Sequence, residues 1–99
     1  MLELLRDLVA PKAEARIVLR GDVSTDQAYT LQSMIRQTGL LGVMFVRPFC
    51  VTLELEGSKP KIEGLMVRIQ NGRLAAQVPV MEVHWLPASS RFHDFRVSL

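Results

Sequence analysis

The feature that most constrains the fold of this chain is the strict alternation of residue types in FCVTLELEG, residues 49–57. Val51, Leu53 and Leu55 alternate with polar side chains at the positions between them. A period of two places successive side chains on opposite faces of an extended chain, so this stretch predicts a half-buried β-strand. We interpret its apolar face as part of a core covered by helices, not as the wall of a ligand pocket.

Similar patterns predict the other elements of the chain. Strands are expected at 15–21, 43–47 and 78–86, with a candidate short fifth strand within 91–99. Apolar residues recur at helical spacing in 27–39 and 58–72, and each of these segments ends at a glycine. The resulting order, βαββαβ, predicts an α+β fold of the ferredoxin-like plait type, with two helices on one face of the sheet.

The first ten residues, MLELLRDLVA, predict an additional amphipathic helix. A stretch of this length is marginal as an isolated helix, so its apolar side must dock on another surface. We therefore divide the chain into this helix (1–10), a linker (11–14) and a domain (15–99), and expect the helix to form an interaction surface, most simply in a homodimer. The residues assigned to that surface are Leu2, Leu4, Leu5, Leu8 and Val9.

Composition excludes several classes of function. The 99 residues suit one domain, and the net charge of +2 comes from interspersed basic and acidic residues, so no nucleic-acid partner is expected. No apolar run is long enough for a membrane span, and the first residues do not resemble a signal peptide. The single cysteine, Cys50, excludes an internal disulfide, and no metal site is expected. These features predict a cytoplasmic protein.

Two segments carry a resemblance to a known family. GLLGVMFVRPFCVTLELEG (39–57) is similar to the central signature of BLUF domains, the flavin-binding blue-light sensors, with Gly39, Gly42 and the Leu-Glu-Gly of 55–57 in place. The terminal RFHDFRVSL (91–99) resembles the closing motif of that family. The resemblance covers about 15–99 and implies the same plait fold.

The chain departs from this family at the positions that the resemblance assigns to photochemistry. In BLUF domains a Tyr, an Asn and a Gln hydrogen-bond the flavin, and the corresponding positions here are Leu19, Ile35 and Leu53. Aliphatic side chains cannot pair with the polar edge of a flavin, and each buried unpaired group costs about 1–3 kcal/mol. No cofactor is therefore expected, with FAD as the alternative.

We accordingly predict a BLUF-like regulatory or protein-interaction module that has lost flavin photochemistry, has no catalytic residues and is not an enzyme. An FAD-binding photoreceptor with altered chemistry is the alternative. A small hydrolase of the acylphosphatase type is the third hypothesis, weakened because RGDVSTDQ (20–27) lacks the glycine-rich phosphate loop of that family. Glu54 and Glu56, on the polar face of their strand, are expected to be solvated.

Overall fold

The structure is a computed structural model that describes residues 11–99. Five strands and two helices follow one another along the chain. They are β1 (Lys12–Arg20), α1 (Thr25–Thr38), β2 (Leu41–Arg47), β3 (Cys50–Ser58), α2 (Lys59–Asn71), a 3-10 turn (Arg73–Ala76), β4 (Val80–Pro87) and β5 (Phe95–Ser98). Within these residues no helix is long and apolar enough to cross a membrane.

The strands form one sheet in the order β4-β1-β3-β2-β5. All neighbouring strands are antiparallel except β2 and β5, which run parallel. This is the predicted ferredoxin-like plait, with the fifth strand added beside β2 at one edge. The two longest strands, β1 and β3, lie next to each other in the interior of the sheet and pair along their whole length.

Local signals explain where the first helix begins and ends. The hydroxyl of Ser24 accepts a hydrogen bond from the backbone N–H of Gln27, and the Gln27 side chain accepts one from the Ser24 N–H. This reciprocal pair satisfies two donors that the first turn would leave free. At the other end Gly39 adopts a left-handed conformation (φ 75°), which stops the helix at Thr38.

The core lies between the sheet and the two helices. Val51, Leu53 and Leu55 have no exposed surface, so the alternation in β3 predicts the correct face. From β1 and the helices, the aliphatic side chains that join them in one cluster are Ala15, Ile17, Leu19, Leu31, Ile35, Ile62, Leu65 and Ile69. The apolar face of β3 therefore meets core side chains.

The beginning of the chain differs from the sequence-based division. β1 starts at Lys12, inside the stretch 11–14 predicted as a linker, and Lys12 is paired with Ser58 of β3. The N–H of Lys59 also donates a hydrogen bond to the carbonyl of Pro11. The predicted amphipathic helix 1–10, with Leu2, Leu4, Leu5, Leu8 and Val9, lies outside the described residues.

Candidate functional site

The three positions that correspond to the flavin-binding set lie inside the core. Leu19, Ile35 and Leu53 each have 0% exposed surface and belong to the central aliphatic cluster. The structure thus brings together the three residues that the sequence singled out. Their side chains are apolar, so this arrangement presents no hydrogen-bonding group to a flavin ring.

The loop between β1 and α1 is where an acylphosphatase is expected to hold phosphate. Arg20 does not point into it: its Nε lies 3.1 Å from a carboxylate oxygen of Glu82, on the sheet face opposite the helices. Asp22 and Asp26 instead bring acidic side chains to the loop and to the first turn of α1. Two carboxylates repel a phosphate, so this loop is poorly suited to cradle one.

A groove of about 440 Å³ opens beside this loop, between α1 and the β2–β5 edge. Its apolar side chains come from both layers, and its polar ones, including Ser24, Tyr29 and Gln32, are neutral. No arginine or lysine from residues 11–99 lines it. The groove suits an apolar or neutral group better than an anion.

A second groove, of about 650 Å³, lies between the two helices and is basic on one side. Arg68 and Arg73 line it together with Asp26, Gln27 and Thr30 from the start of α1. Guanidinium groups pair with phosphate and carboxylate oxygens in a fixed geometry. This groove is therefore the more suitable of the two for an anionic ligand.

The sheet face opposite the helices, which we call the open face, carries a cluster of three carboxylates at one end. Glu14, Glu54 and Glu56 lie on the neighbouring strands β1 and β3, where Glu14 is directly opposite Glu56. The Arg91 Nη2 lies 2.8 Å from an oxygen of Glu14 and 3.0 Å from one of Glu54. One guanidinium thus pairs with two neighbouring carboxylates and offsets one of their two negative charges.

The β4–β5 connection holds the rest of this cluster. The backbone N–H groups of Ser89 and Ser90 each donate to the same oxygen of Glu56, both at 2.7 Å. The Ser89 hydroxyl also lies 2.7 Å from an oxygen of Glu14. The carboxylates therefore anchor the connection to the sheet. Among residues 11–99 no group of acidic, histidine or cysteine side chains has the arrangement of a metal site.

Burial and the nearby charge of Arg91 shift the pKa of Glu14 in opposite directions. Burial alone would raise the pKa of its carboxyl, but hydrogen bonds from Arg91 and Ser89 and the charge of Arg91 hold that pKa below its ordinary value. In turn, the hydrogen bond to Glu14 raises the pKa of Arg91. Glu14 is therefore ionised at neutral pH although only 3% of its surface is exposed.

Sequence reasoning missed this cluster. Glu56 was predicted to be solvated, and that prediction is wrong, because only 5% of the residue is exposed. The period of two assigns Glu56 to the open face but cannot show that the β4–β5 connection covers it. Arg91 lies 77 positions from Glu14 along the chain, and no local pattern links them.

The neighbours His84 and Trp85 point to opposite faces of β4, as successive residues of a strand do. Their partners on β1 are Arg16 and Ala15, so His84 lies on the open face and Trp85 on the helix side. Lys59 Nζ is 5.1 Å from the centre of the Trp85 ring. Each side chain has a separate environment, and they do not form a joint site.

We expect Arg91→Met to lower the Tm by about 5–10 °C at pH 7, because the buried Glu14 carboxylate loses its cation and its charged donor. In the native chain the lowered pKa of Glu14 stabilises the fold above about pH 4.3, the unfolded value, and this contribution is lost as the pH falls through the folded-state pKa. In the variant only the Ser89 hydrogen bond still opposes burial, so the pKa of Glu14 is higher than in the native chain and the destabilisation should shrink as the pH approaches 4.

Thermal melts at pH 7 and at pH 4 measure both effects. Arg96→Met is the matched control, since Arg96 pairs with Asp94 where both side chains are largely exposed. Equal melting temperatures for the two variants at pH 7 would show that Glu14 does not depend on Arg91.

No protein-family profile matches this sequence, and no curated protein matches it significantly. Several solved structures do match. The acylphosphatase from Bacillus subtilis is 20% identical, with a TM-score of 0.76 over 88% of this chain and 99% of that one. The acylphosphatase from Coxiella burnetii is 18% identical, with a TM-score of 0.74 over 89% of this chain and 94% of that one. The BlrP1 BLUF structure is 15% identical, with a TM-score of 0.63 over 88% of this chain and 64% of that one.

At these identities the likeness establishes a shared fold. The BLUF resemblance is supported at that level, since BLUF domains are among the structural neighbours, but the acylphosphatases superpose better. The prediction that the chain is not an enzyme is corrected by these comparisons, because enzymes share its fold over nearly their whole length.

Proposed function

We propose that this chain is a cytoplasmic regulatory module that binds another protein, built on the fold shared by BLUF domains and acylphosphatases. The observation that carries the proposal is the complete burial of Leu19, Ile35 and Leu53 in the aliphatic core. A flavin at this place would have to displace core side chains and would find no polar partner. Without that cavity, the surfaces left to carry function are the exposed faces of the domain.

The open face is the surface that we assign to the protein partner. Its charges are paired, since Arg91 binds Glu14 and Glu54 and Arg20 binds Glu82. Arg16 lies exposed between these pairs, across from Glu54 on β3 and His84 on β4. A pattern of alternating charge favours a partner of complementary charge and disfavours others. The segment 1–10, with its predicted apolar side, stays a predicted part of the same interaction.

Charge reversal on each side of the sheet tests this assignment. The full-length chain is used to isolate partners, and the affinity of each purified partner is then measured for two variants. We expect Arg16→Glu to lower the affinity for the specific partner about tenfold or more. Lys61→Glu, the same charge change at an exposed position of α2, should leave its affinity unchanged. Equal affinity for both variants would contradict use of the open face.

The visible spectrum of the purified protein tests whether the chain binds flavin. We expect no absorbance of an oxidised flavin, either as isolated or after incubation with FAD and gel filtration. A stoichiometric flavin spectrum that shifts to the red under blue light would instead support the photoreceptor alternative.

A hydrolase that acts on acyl phosphates is the second candidate, favoured by the likeness to acylphosphatases and by the basic groove between the helices. Arg68 and Arg73 face the start of α1 across this groove. Their two positive charges outnumber the one carboxylate from residues 11–99 that lines the groove, that of Asp26, so together they could hold the phosphate of a substrate there. In such a reaction water attacks the phosphorus, the bond between phosphorus and the acyl oxygen breaks, and the carboxylate leaves. Two guanidinium groups would stabilise the negative charge on the phosphate oxygens during this step.

Release of inorganic phosphate from benzoyl phosphate tests this candidate. A hydrolase that uses the basic groove should turn over the substrate and should lose activity in Arg68→Met and Arg73→Met. Arg47→Met is the control, because Arg47 is the last residue of β2 and does not line this groove. Turnover that survives both groove variants would place the reaction elsewhere, and no turnover above the buffer rate would reject the candidate.

A further inference from the structure

The outer edge of β4 is the least protected part of the sheet. Among residues 11–99, β4 is hydrogen-bonded to β1 on one side and to no strand on the other. It spans eight residues, Val80–Pro87, and exposes 45% of Val80, 39% of Trp85 and 45% of Leu86. A long edge strand with exposed apolar side chains pairs readily with another strand, and natural sheets usually protect such an edge.

The sequence of β4 is complementary to itself when two copies run antiparallel. With a two-fold axis at Val83, Glu82 lies opposite His84 of the second copy, and His84 lies opposite its Glu82. The same register brings Val80 to Leu86 and Met81 to Trp85. Each directly opposed pair is therefore either apolar with apolar or acidic with basic, which is the pairing that stabilises antiparallel strands.

The two faces of the extended sheet also agree in this register. Val80, Glu82, His84 and Leu86 share the open face, since their neighbours on β1 are the open-face residues Arg20, Val18, Arg16 and Glu14. The alternate residues of β4 lie on the helix side in both copies. With a two-fold axis at Val83, the open faces of the two copies thus form one continuous surface. The helices of both copies lie together on the other side of the sheet.

We propose that two copies of this chain pair through β4 about a two-fold axis at Val83, forming one continuous ten-stranded sheet. The assembly closes at two copies because each partner uses its β4 edge once. The edges that remain belong to β5, which has only four residues, Phe95–Ser98, and is flanked by the exposed Asp94–Arg96 pair. A short, charged edge adds strands poorly. This inference is independent of the partner assigned to the open face.

Sedimentation equilibrium over a wide concentration range tests the proposal with the full-length chain. His84→Glu would place a carboxylate opposite Glu82 twice in each dimer, so we expect the dissociation constant to rise about tenfold. His93→Glu is the matched control, with the same change in charge at the exposed second histidine, and should leave that constant unchanged. The swap variant Glu82→His with His84→Glu should restore part of the affinity, because the opposed pair is again acidic and basic even though Arg20 loses its partner Glu82.

Cross-linking tests the register. In a Cys50→Ser background, Val80→Cys and Leu86→Cys are prepared separately, mixed to exchange subunits, and oxidised with diamide. Opposed side chains lie within reach of a disulfide, so the mixture should give a disulfide-linked dimer, whereas each variant alone should not. Both positions are exposed, and neither change should disturb the fold.

Several results would overturn the proposal: a native chain that is monomeric throughout the range, His84→Glu and His93→Glu variants that dimerise alike, or cross-linking of either cysteine variant alone. Dimerisation through the segment 1–10 is distinguished by Leu5→Glu with Leu8→Glu. This double variant should remain dimeric if β4 forms the interface. Loss of the dimer in this variant, together with an unaffected His84→Glu, would assign the interface to residues 1–10.

Discussion

Replacing Leu53 by glutamine is expected to lower the free energy of unfolding by about 3–5 kcal/mol. Leu53 lies on the interior strand β3, has no exposed surface and belongs to the central cluster between sheet and helices. The change removes buried aliphatic contacts and places an amide where the surrounding side chains offer no hydrogen bond. Urea denaturation at pH 7 measures the difference.

Val67→Gln is the matched control for this change. Val67 lies on α2 with 53% of its surface exposed, so an amide there stays hydrated and the stability should change by less than about 0.5 kcal/mol. Added FAD should not restore the Leu53→Gln variant. Restoration by flavin would mean that position 53 lines a ligand pocket, and a stability equal to that of the native chain would mean that it is not in the core.

Gly42→Ala is expected to cost about 3 kcal/mol or more, or to prevent folding altogether. Gly42 has φ 145°, a conformation that residues with a side chain rarely adopt. A methyl group there would also overlap the carbonyl oxygen of Glu54 on the neighbouring strand, which is backbone and cannot move aside. The N–H of Gly42 donates to the carbonyl of Asp94, so a shift of β2 would also loosen β5.

Gly64→Ala is expected to change the stability in the opposite direction from Gly42→Ala. Gly64 lies within α2, and a methyl group added there would meet no atom within 4 Å. Alanine favours the helix, so this variant should be about 0.5–1 kcal/mol more stable than the native chain. Urea denaturation of the two variants in parallel makes the comparison. Similar stabilities for both would contradict the close approach of β2 and β3 at Gly42.

The regular elements could be predicted well because their signals are local. The alternation in β3 and the helical spacing in α1 and α2 identify the buried faces, and the glycines at 39 and 72 mark where the two helices end. Boundaries were less accurate: β1 begins at Lys12, earlier than its apolar pattern, because pairing with Ser58 extends the strand beyond the core. Backbone pairing needs no particular side chain, so the sequence carries little signal for it.

By itself, the sequence determined the order of the elements within residues 11–99, the buried faces of β1, β3 and the two helices, and the aliphatic character of positions 19, 35 and 53. These properties follow from periodicity and residue type, which neighbouring positions express directly. Only the tertiary structure decided that Glu14 and Glu56 are buried on the open face, that Arg91 pairs with Glu14 and Glu54, and that β4 is an edge strand within residues 11–99. Each of these depends on strand order and on contacts between distant residues, and both are set by how the whole chain packs.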